Sequence, residues 1–152
     1  TKGFSFKTGV RTFEAASFLK SLGADTIEVK KMFTDDLNSY LQIADTIKSA
    51  EVTNKVAIAI TPENIDTVIV AKAADELLNI SGISASFVLG KIENDIYISG
   101  RSLGDINIQI VLESLGGGGH MNIAGAKVSN STIDEVVTKL KELIEKYLRI
   151  GE

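Results

Sequence analysis

The chain has 152 residues, 44% hydrophobic and 24% charged, enough for one ordinary domain (or one and a half small ones) with a real core. With no cysteine and a single histidine, disulfides, thiolate metal sites and cysteine nucleophiles are excluded, and any metal centre would have to rest on carboxylates. A net charge of −4 and an isoelectric point near 5.1 argue against gripping a long polyanion but leave a small phosphorylated ligand open.

In chain order, GFSFKT alternates Phe4 and Phe6 and predicts a short strand. RTFEAASFLKSLG follows as a helix with Phe13, Ala16 and Leu19 at helical spacing and Gly23 as its stop. Asp25 and Glu28 have the spacing of a capping box for a short helix. A third helix, DDLNSYLQIADTIKSAE, places Leu37, Tyr40, Leu41, Ala44 and Ile47 on one face. From about Glu51 the character changes. KVAIAIT reads as a strand, and Pro62 opens a helix to about Asn79. GISASFVLGKIENDIYISGRS is a hairpin turning at Glu93-Asn94-Asp95. DINIQIVLESL is a helix with Ile108, Val111, Leu112 and Leu115 as its stripe, and AGAKVS is a short strand. Ser131 caps a last helix whose Ile133, Val136, Val137, Leu140, Leu143, Ile144 and Tyr147 repeat at helical spacing. The fold class is α/β, a compact mixed-sheet domain over 51–152, preceded over 1–50 by a mostly helical remnant of a second domain.

Three stretches could carry chemistry. In LESLGGGGHMNIAGAK, Gly116, Gly117, Gly118 and Gly119 run directly into His120. A glycine in regular structure costs about 0.5–1 kcal/mol relative to alanine, so four together predict a loop whose backbone comes close to something. Such a turn can offer several N–H groups as an anion-binding nest, with His120 at its edge able to donate a hydrogen bond to a phosphate oxygen or to act in proton transfer. The alternative is a flexible loop followed by a half-buried histidine. In SGRSLGDIN, Arg101 ends a strand just before a helix start, where it can fork onto a phosphate, with Ser102 and Asn107 flanking that start. The alternative is a surface arginine paired with Asp105 and Ser102 as a plain N-cap. KTGVRTFEAA gathers Lys7, Thr8, Arg11 and Thr12 around a strand-to-helix turn, which a capped helix with solvated charges also explains. The one paired carboxylate, Asp35-Asp36, fits a helix start. The chain has no Gly-x-x-x-x-Gly-Lys-Ser/Thr loop and no Gly-x-Ser-x-Gly elbow, and no complete active site is legible.

The run GGGGHMNIAGA resembles the Gly-Gly-Gly-His-x-x-Ala-Gly signature of the DHH-associated C-terminal domain. That domain follows the metal-binding DHH domain in phosphoesterases such as RecJ-type nucleases and small-oligonucleotide ribonucleases. GFSFKTGVRTFEAASFLKSLGAD and ISGRSLGDINIQIVLESLGGGGH are similar to the membrane-anchored cyclic-di-AMP phosphodiesterases of Gram-positive bacteria, so the resemblance covers nearly the whole chain. It implies that 1–50 is the tail of a DHH domain and 51–152 the substrate-binding domain. The implied activity is hydrolysis of cyclic di-AMP or linear dinucleotides in a cleft between the two, with an upstream DHH domain in cis holding two manganese ions. By the same resemblance Gly116, Gly117, Gly118, Gly119 and His120 hold a phosphate with Arg101 and Ser102 nearby, and Arg11 and Thr12 match positions on the DHH side. The family's metal ligands have no counterpart here, so this segment is expected to bind no metal and to be inactive alone. The alternative is the nucleic-acid-binding module of a RecJ-like exonuclease or small-oligonucleotide ribonuclease, taking a short oligonucleotide. The chain starts TKGFSFKTG without an initiator methionine and reads as a piece of something longer. No apolar run approaches the ~18 residues a membrane span needs, and the expectation is a cytoplasmic segment without membrane contact.

Overall fold

The computed structural model describes residues 4, 8–34, 36–63 and 65–150, and the chain divides into two units, residues 1–36 and 37–152. In the first unit, α1 (Val10–Ser21) starts at Gly9, whose N–H donates to Thr12 Oγ1 at 3.4 Å, and ends before Gly23, with φ +94°. In α2 (Thr26–Lys31), the Asp25 carboxylate accepts from the Ile27 N–H at 2.7 Å, as an N-cap should. Glu28 does not complete a capping box but pairs with Lys31 at 2.6 Å. Neither helix buries a residue. Phe4 stacks on Phe13 with ring centroids 5.2 Å apart. The strand expected over residues 3–8 lies largely outside the described residues, as do Lys7 and Asp35.

The second unit begins with α3 (Leu37–Lys48), ahead of the boundary expected near Glu51, because this helix packs into the same core as the sheet. The face it buries is not the expected one. Ile43 and Thr46 are buried and Ile47 half-buried, whereas Leu37, Tyr40 and Leu41 are exposed. The chain continues through β1 (Glu51–Thr53), β2 (Val56–Ile60), α4 (Thr67–Leu77), β3 (Ala85–Ile92), β4 (Asp95–Ser102), α5 (Ile108–Glu113), β5 (Gly118–His120), β6 (Ile123–Ser129) and α6 (Ile133–Ile150). Asn54 and Lys55, both at positive φ, make the two-residue turn that adds β1 to β2. The helix expected from Pro62 starts only at Thr67, where the Asp66 carboxylate accepts from the Val68 N–H at 3.0 Å. The last helix is capped by Thr132, not Ser131. The Glu135 N–H donates to Thr132 Oγ1, and Glu135 accepts from the Thr132 N–H at 2.9 Å, a reciprocal box.

Six strands form one mixed sheet in the order β1-β2-β3-β4-β6-β5; β2 and β3 are parallel and every other neighbour pair is antiparallel. Alternation along the strands separates two faces. One face, with Phe87, Leu89, Ile96, Ile98 and Ala124, packs against Leu112 of α5 and Val136, Leu140 and Ile144 of α6. The other, with Ala57, Ala59 and Val88, packs against Ile69, Val70, Ala73 and Leu77 of α4 and Ile43 of α3. On this second face β6 leaves Ile123, Gly125 and Lys127 exposed. The sheet is therefore open towards β5. Among the described residues no helix is long and apolar enough to cross a membrane.

Candidate functional site

Ser86, Arg101, Ile123 and His120 form one row across β3, β4, β6 and β5. Residues directly paired on neighbouring strands point to the same side of a sheet. Arg101 and His120 therefore stand on one face, two strand spacings or roughly 10 Å apart at the backbone. The next row on that face is Val88, Ser99, Gly125 and Gly118. Gly125 and Gly118 are both exposed and leave this part of the face without side chains. The result is a shallow floor at Gly125 and Gly118, with Ser99 at its β4 end and Arg101, the exposed Ile123 and His120 standing along the row beside it.

Arg101 is held from two directions. Its Nε donates to Asp75 Oδ1 of α4 at 2.6 Å, and its Nη1 donates to Ser99 Oγ at 2.8 Å and to the Gly100 carbonyl at 3.0 Å. The side chains are only 11% and 24% exposed for Arg101 and Asp75. Three of the five guanidinium N–H groups are thus engaged, which leaves the two on Nη2. The expected pairing with Asp105 is not made. The expected two-nitrogen fork is not presented either, since both hydrogens of Nη1 are committed. Asp75 and Ser99 escaped the sequence reading; Asp75 is 26 residues from its partner and meets it only because α4 crosses this face.

The four glycines do not form the expected nest. Gly116, at φ +76°, ends α5, and the Gly116 N–H donates to the Glu113 carbonyl at 3.0 Å while the Gly117 N–H donates to the Leu112 carbonyl at 2.9 Å. This pair of bonds is a Schellman cap, so two of the four N–H groups satisfy the helix end. Gly117 then runs hard against β6, where an added Cβ would collide with the Gly125 carbonyl oxygen and lie 2.6 Å from Ala126 Cβ. Gly119 has φ +152°, and a Cβ there would lie 2.5 Å from Ala124 Cα. Gly118 differs: its φ is ordinary and a Cβ would meet nothing within 4 Å. The expected loop is a strand, β5, closed onto β6 by the two-residue turn Met121-Asn122.

Ser102 is not beside Arg101. It is 1% exposed on the opposite face of β4, and its Oγ accepts from the Gly104 N–H at 2.9 Å and the Ile106 N–H at 3.3 Å. It closes the turn out of the strand, while Asn107 caps α5 by accepting from the Ile110 N–H at 3.3 Å. Arg11, exposed in the first turn of α1, and Thr12, whose hydroxyl serves Gly9, belong to the first unit. Farther along the open face, Lys127 bonds Asp95 at 2.7 Å and lies 5.5 Å from the centroid of the Tyr97 ring. The hydrogen bond from Lys127, then that from Ser129, holds the Asp95 carboxyl below its ordinary range, and Asp95 followed by Tyr97 holds the Lys127 amine above its own. Among the described residues no three His, Cys, Asp or Glu side chains gather to hold a metal ion.

The chain is similar to two curated relatives in sequence and to one solved structure in fold. The chain is 43% identical to the cyclic-di-AMP phosphodiesterase GdpP of Geobacillus thermodenitrificans, over 100% of its own length and 24% of the relative's. It is 42% identical to the cyclic-di-AMP phosphodiesterase PdeA of Listeria monocytogenes, over 97% of its length and 23% of the relative's. The chain thus spans about a quarter of these curated relatives. In fold it is similar to an exopolyphosphatase-related protein of Bacteroides fragilis, with a TM-score of 0.87 at 21% identity, over 99% of this chain and 47% of that one. Residues 53–149 match the DHHA1 domain. That match takes in strands β2 to β6, both rows of the open face and α6 almost to its end, and the chain accordingly belongs to the DHHA1 domain family.

Proposed function

We propose that this chain is the substrate-binding half of a phosphodiesterase acting on cyclic di-AMP and on linear dinucleotides. One observation carries the reading. Arg101 and His120 share a row on an open sheet face whose floor at Gly118 and Gly125 bears no side chain. A phosphate lying on that floor would take hydrogen bonds from Arg101 Nη2 on one side and from the His120 imidazole on the other. Charge-assisted bonds of this kind are the strong ones. The names of the two relatives support a dinucleotide as the molecule carrying that phosphate. Ser102 has no part in this, being buried on the far face.

The work of these residues is to bind and orient a phosphodiester. Manganese, which the family resemblance implies for the whole enzyme, finds no converging set of three His, Cys, Asp or Glu donors among the described residues. By that resemblance the metal would be held by an upstream DHH domain, where it would activate water and stabilise the leaving oxygen.

The test is direct binding of cyclic di-AMP, of linear diadenylate and of an oligonucleotide of about 20 nucleotides over a range of salt. The dinucleotides should bind with a shallow salt dependence, and Arg101→Ala and His120→Ala should each weaken them by about 1–3 kcal/mol. Equal affinity in wild type and both variants would remove the proposed roles. Tighter, steeply salt-dependent binding of the oligonucleotide would favour the nucleic-acid module instead.

A further inference from the structure

We infer that Asp75 is a positioning residue for the phosphate site, acting through Arg101; this rests on the reading of that site given above. An unrestrained arginine at the end of a strand has several rotamers, and a phosphate would have to select one at an entropic cost. Here the choice is already made. The Asp75 carboxylate takes Nε at 2.6 Å, and Ser99 Oγ and the Gly100 carbonyl take Nη1, so the Nη2 nitrogen alone is left for a ligand. Asp75 is itself fixed. The neighbouring residue on α4, Ala74, accepts from the buried Ser86 Oγ at 2.6 Å, and Ser86 is the register partner of Arg101 on β3. A buried hydrogen bond on one strand thus sets the height of the helix residue that aims the guanidinium on the next.

A carboxylate beside a phosphate-binding arginine acts in two opposed ways. It pre-organises the guanidinium, which favours binding, and it neutralises part of the positive charge, which opposes it. The two contributions predict opposite signs for removing Asp75, so the sign of the effect identifies which one governs. Because Asp75 takes Nε, and one Nη2 hydrogen points away from Nε–H, a phosphate that accepts from that hydrogen does not have to displace the carboxylate. Orientation therefore outweighs neutralisation, and loss of Asp75 weakens binding.

The experiment measures cyclic di-AMP affinity for wild type, Asp75→Ala, Asp75→Glu, Arg101→Ala and the Asp75→Ala/Arg101→Ala pair. Asp75→Ala should lose roughly tenfold, within the range seen for contacting residues, with Asp75→Glu recovering part of the loss. In the Arg101→Ala background, Asp75→Ala should change nothing further. Nitrogen-15 spectra of the arginine side chains should show the Arg101 Nε–H protected from exchange in wild type and unprotected in Asp75→Ala, with the backbone amide spectrum otherwise preserved. Affinity unchanged or raised in Asp75→Ala overturns the positioning role while leaving Arg101 as a phosphate contact. An equal loss in the Arg101→Ala background overturns it as well, since the effect would then be structural. Wild type and Arg101→Ala binding alike would fail the phosphate site itself, and the inference with it.

Discussion

Alanine substitutions along the glycine run separate what the fold needs from what a ligand needs. At Gly118 a methyl group meets nothing within 4 Å and φ is ordinary. Gly118→Ala should therefore leave stability unchanged or raise it by about 0.4–1 kcal/mol, through the smaller entropy of the unfolded chain. At Gly117 the methyl would collide with the Gly125 carbonyl and lie 2.6 Å from Ala126 Cβ, an overpacking that costs about 1–3 kcal/mol. At Gly119 the φ of +152° and a Cβ 2.5 Å from Ala124 Cα add backbone strain of about 1–3 kcal/mol to the clash. Ligand binding should follow a different order. The Gly118 methyl would rise from the floor between Gly125 and the His120 side of the site, and a lost phosphate contact of about 1–3 kcal/mol corresponds to roughly a tenfold to hundredfold weaker dinucleotide. Denaturant unfolding and dinucleotide titration of the three variants decide the matter. A Gly118→Ala protein as unstable as Gly117→Ala, or one that binds like wild type, would refute the reasoning.

Two further outcomes are expected. Incubated with manganese and cyclic di-AMP or its linear product, the chain should give no hydrolysis by chromatography, because no three ligating side chains converge among the described residues; turnover that vanishes in His120→Ala would overturn this. The acid limb of stability should depend on Asp95, whose carboxyl Lys127 and Ser129 hold below its ordinary range. A depressed folded value means stabilisation that is present above the usual carboxylate range and is lost as pH falls through the folded value. Asp95→Asn should therefore be less stable than wild type at neutral pH and converge with it in acid, and a deficit independent of pH in denaturation midpoints would contradict the assignment.

The elements with strong periodicity were legible in the sequence. The stripe at Val136, Leu140 and Ile144 is the face α6 buries, because three-and-four spacing over many turns admits only one apolar side. Helix α3 was misjudged for the opposite reason. It carries two apolar stripes, Leu37-Tyr40-Leu41 and Ile43-Ile47, and nothing local says which one meets the sheet. Strand β5 was invisible because three residues of glycine and histidine have no strand preference of their own; pairing with β6 makes them a strand. The site was half legible. Composition singled out Gly116 to His120, and strand-end placement singled out Arg101. Their meeting depends on sheet register, which places Ile123 between them, and the partner at Asp75 depends on where α4 crosses.

The strand order carries a consequence for assembly. Along the chain, His120 comes before β6, yet in space β6 lies between His120 and Arg101. A polypeptide ending at Asn122 would contain Arg101, Gly118, His120 and Asp75 and still have no site, because β5 would have no strand to pair with and the floor would lack Gly125. During synthesis or refolding, the face proposed to bind phosphate can therefore close only after the last strand has inserted between two that precede it. On the function proposed above, affinity for a dinucleotide would then report on insertion of β6, not merely on the presence of the residues that touch the ligand.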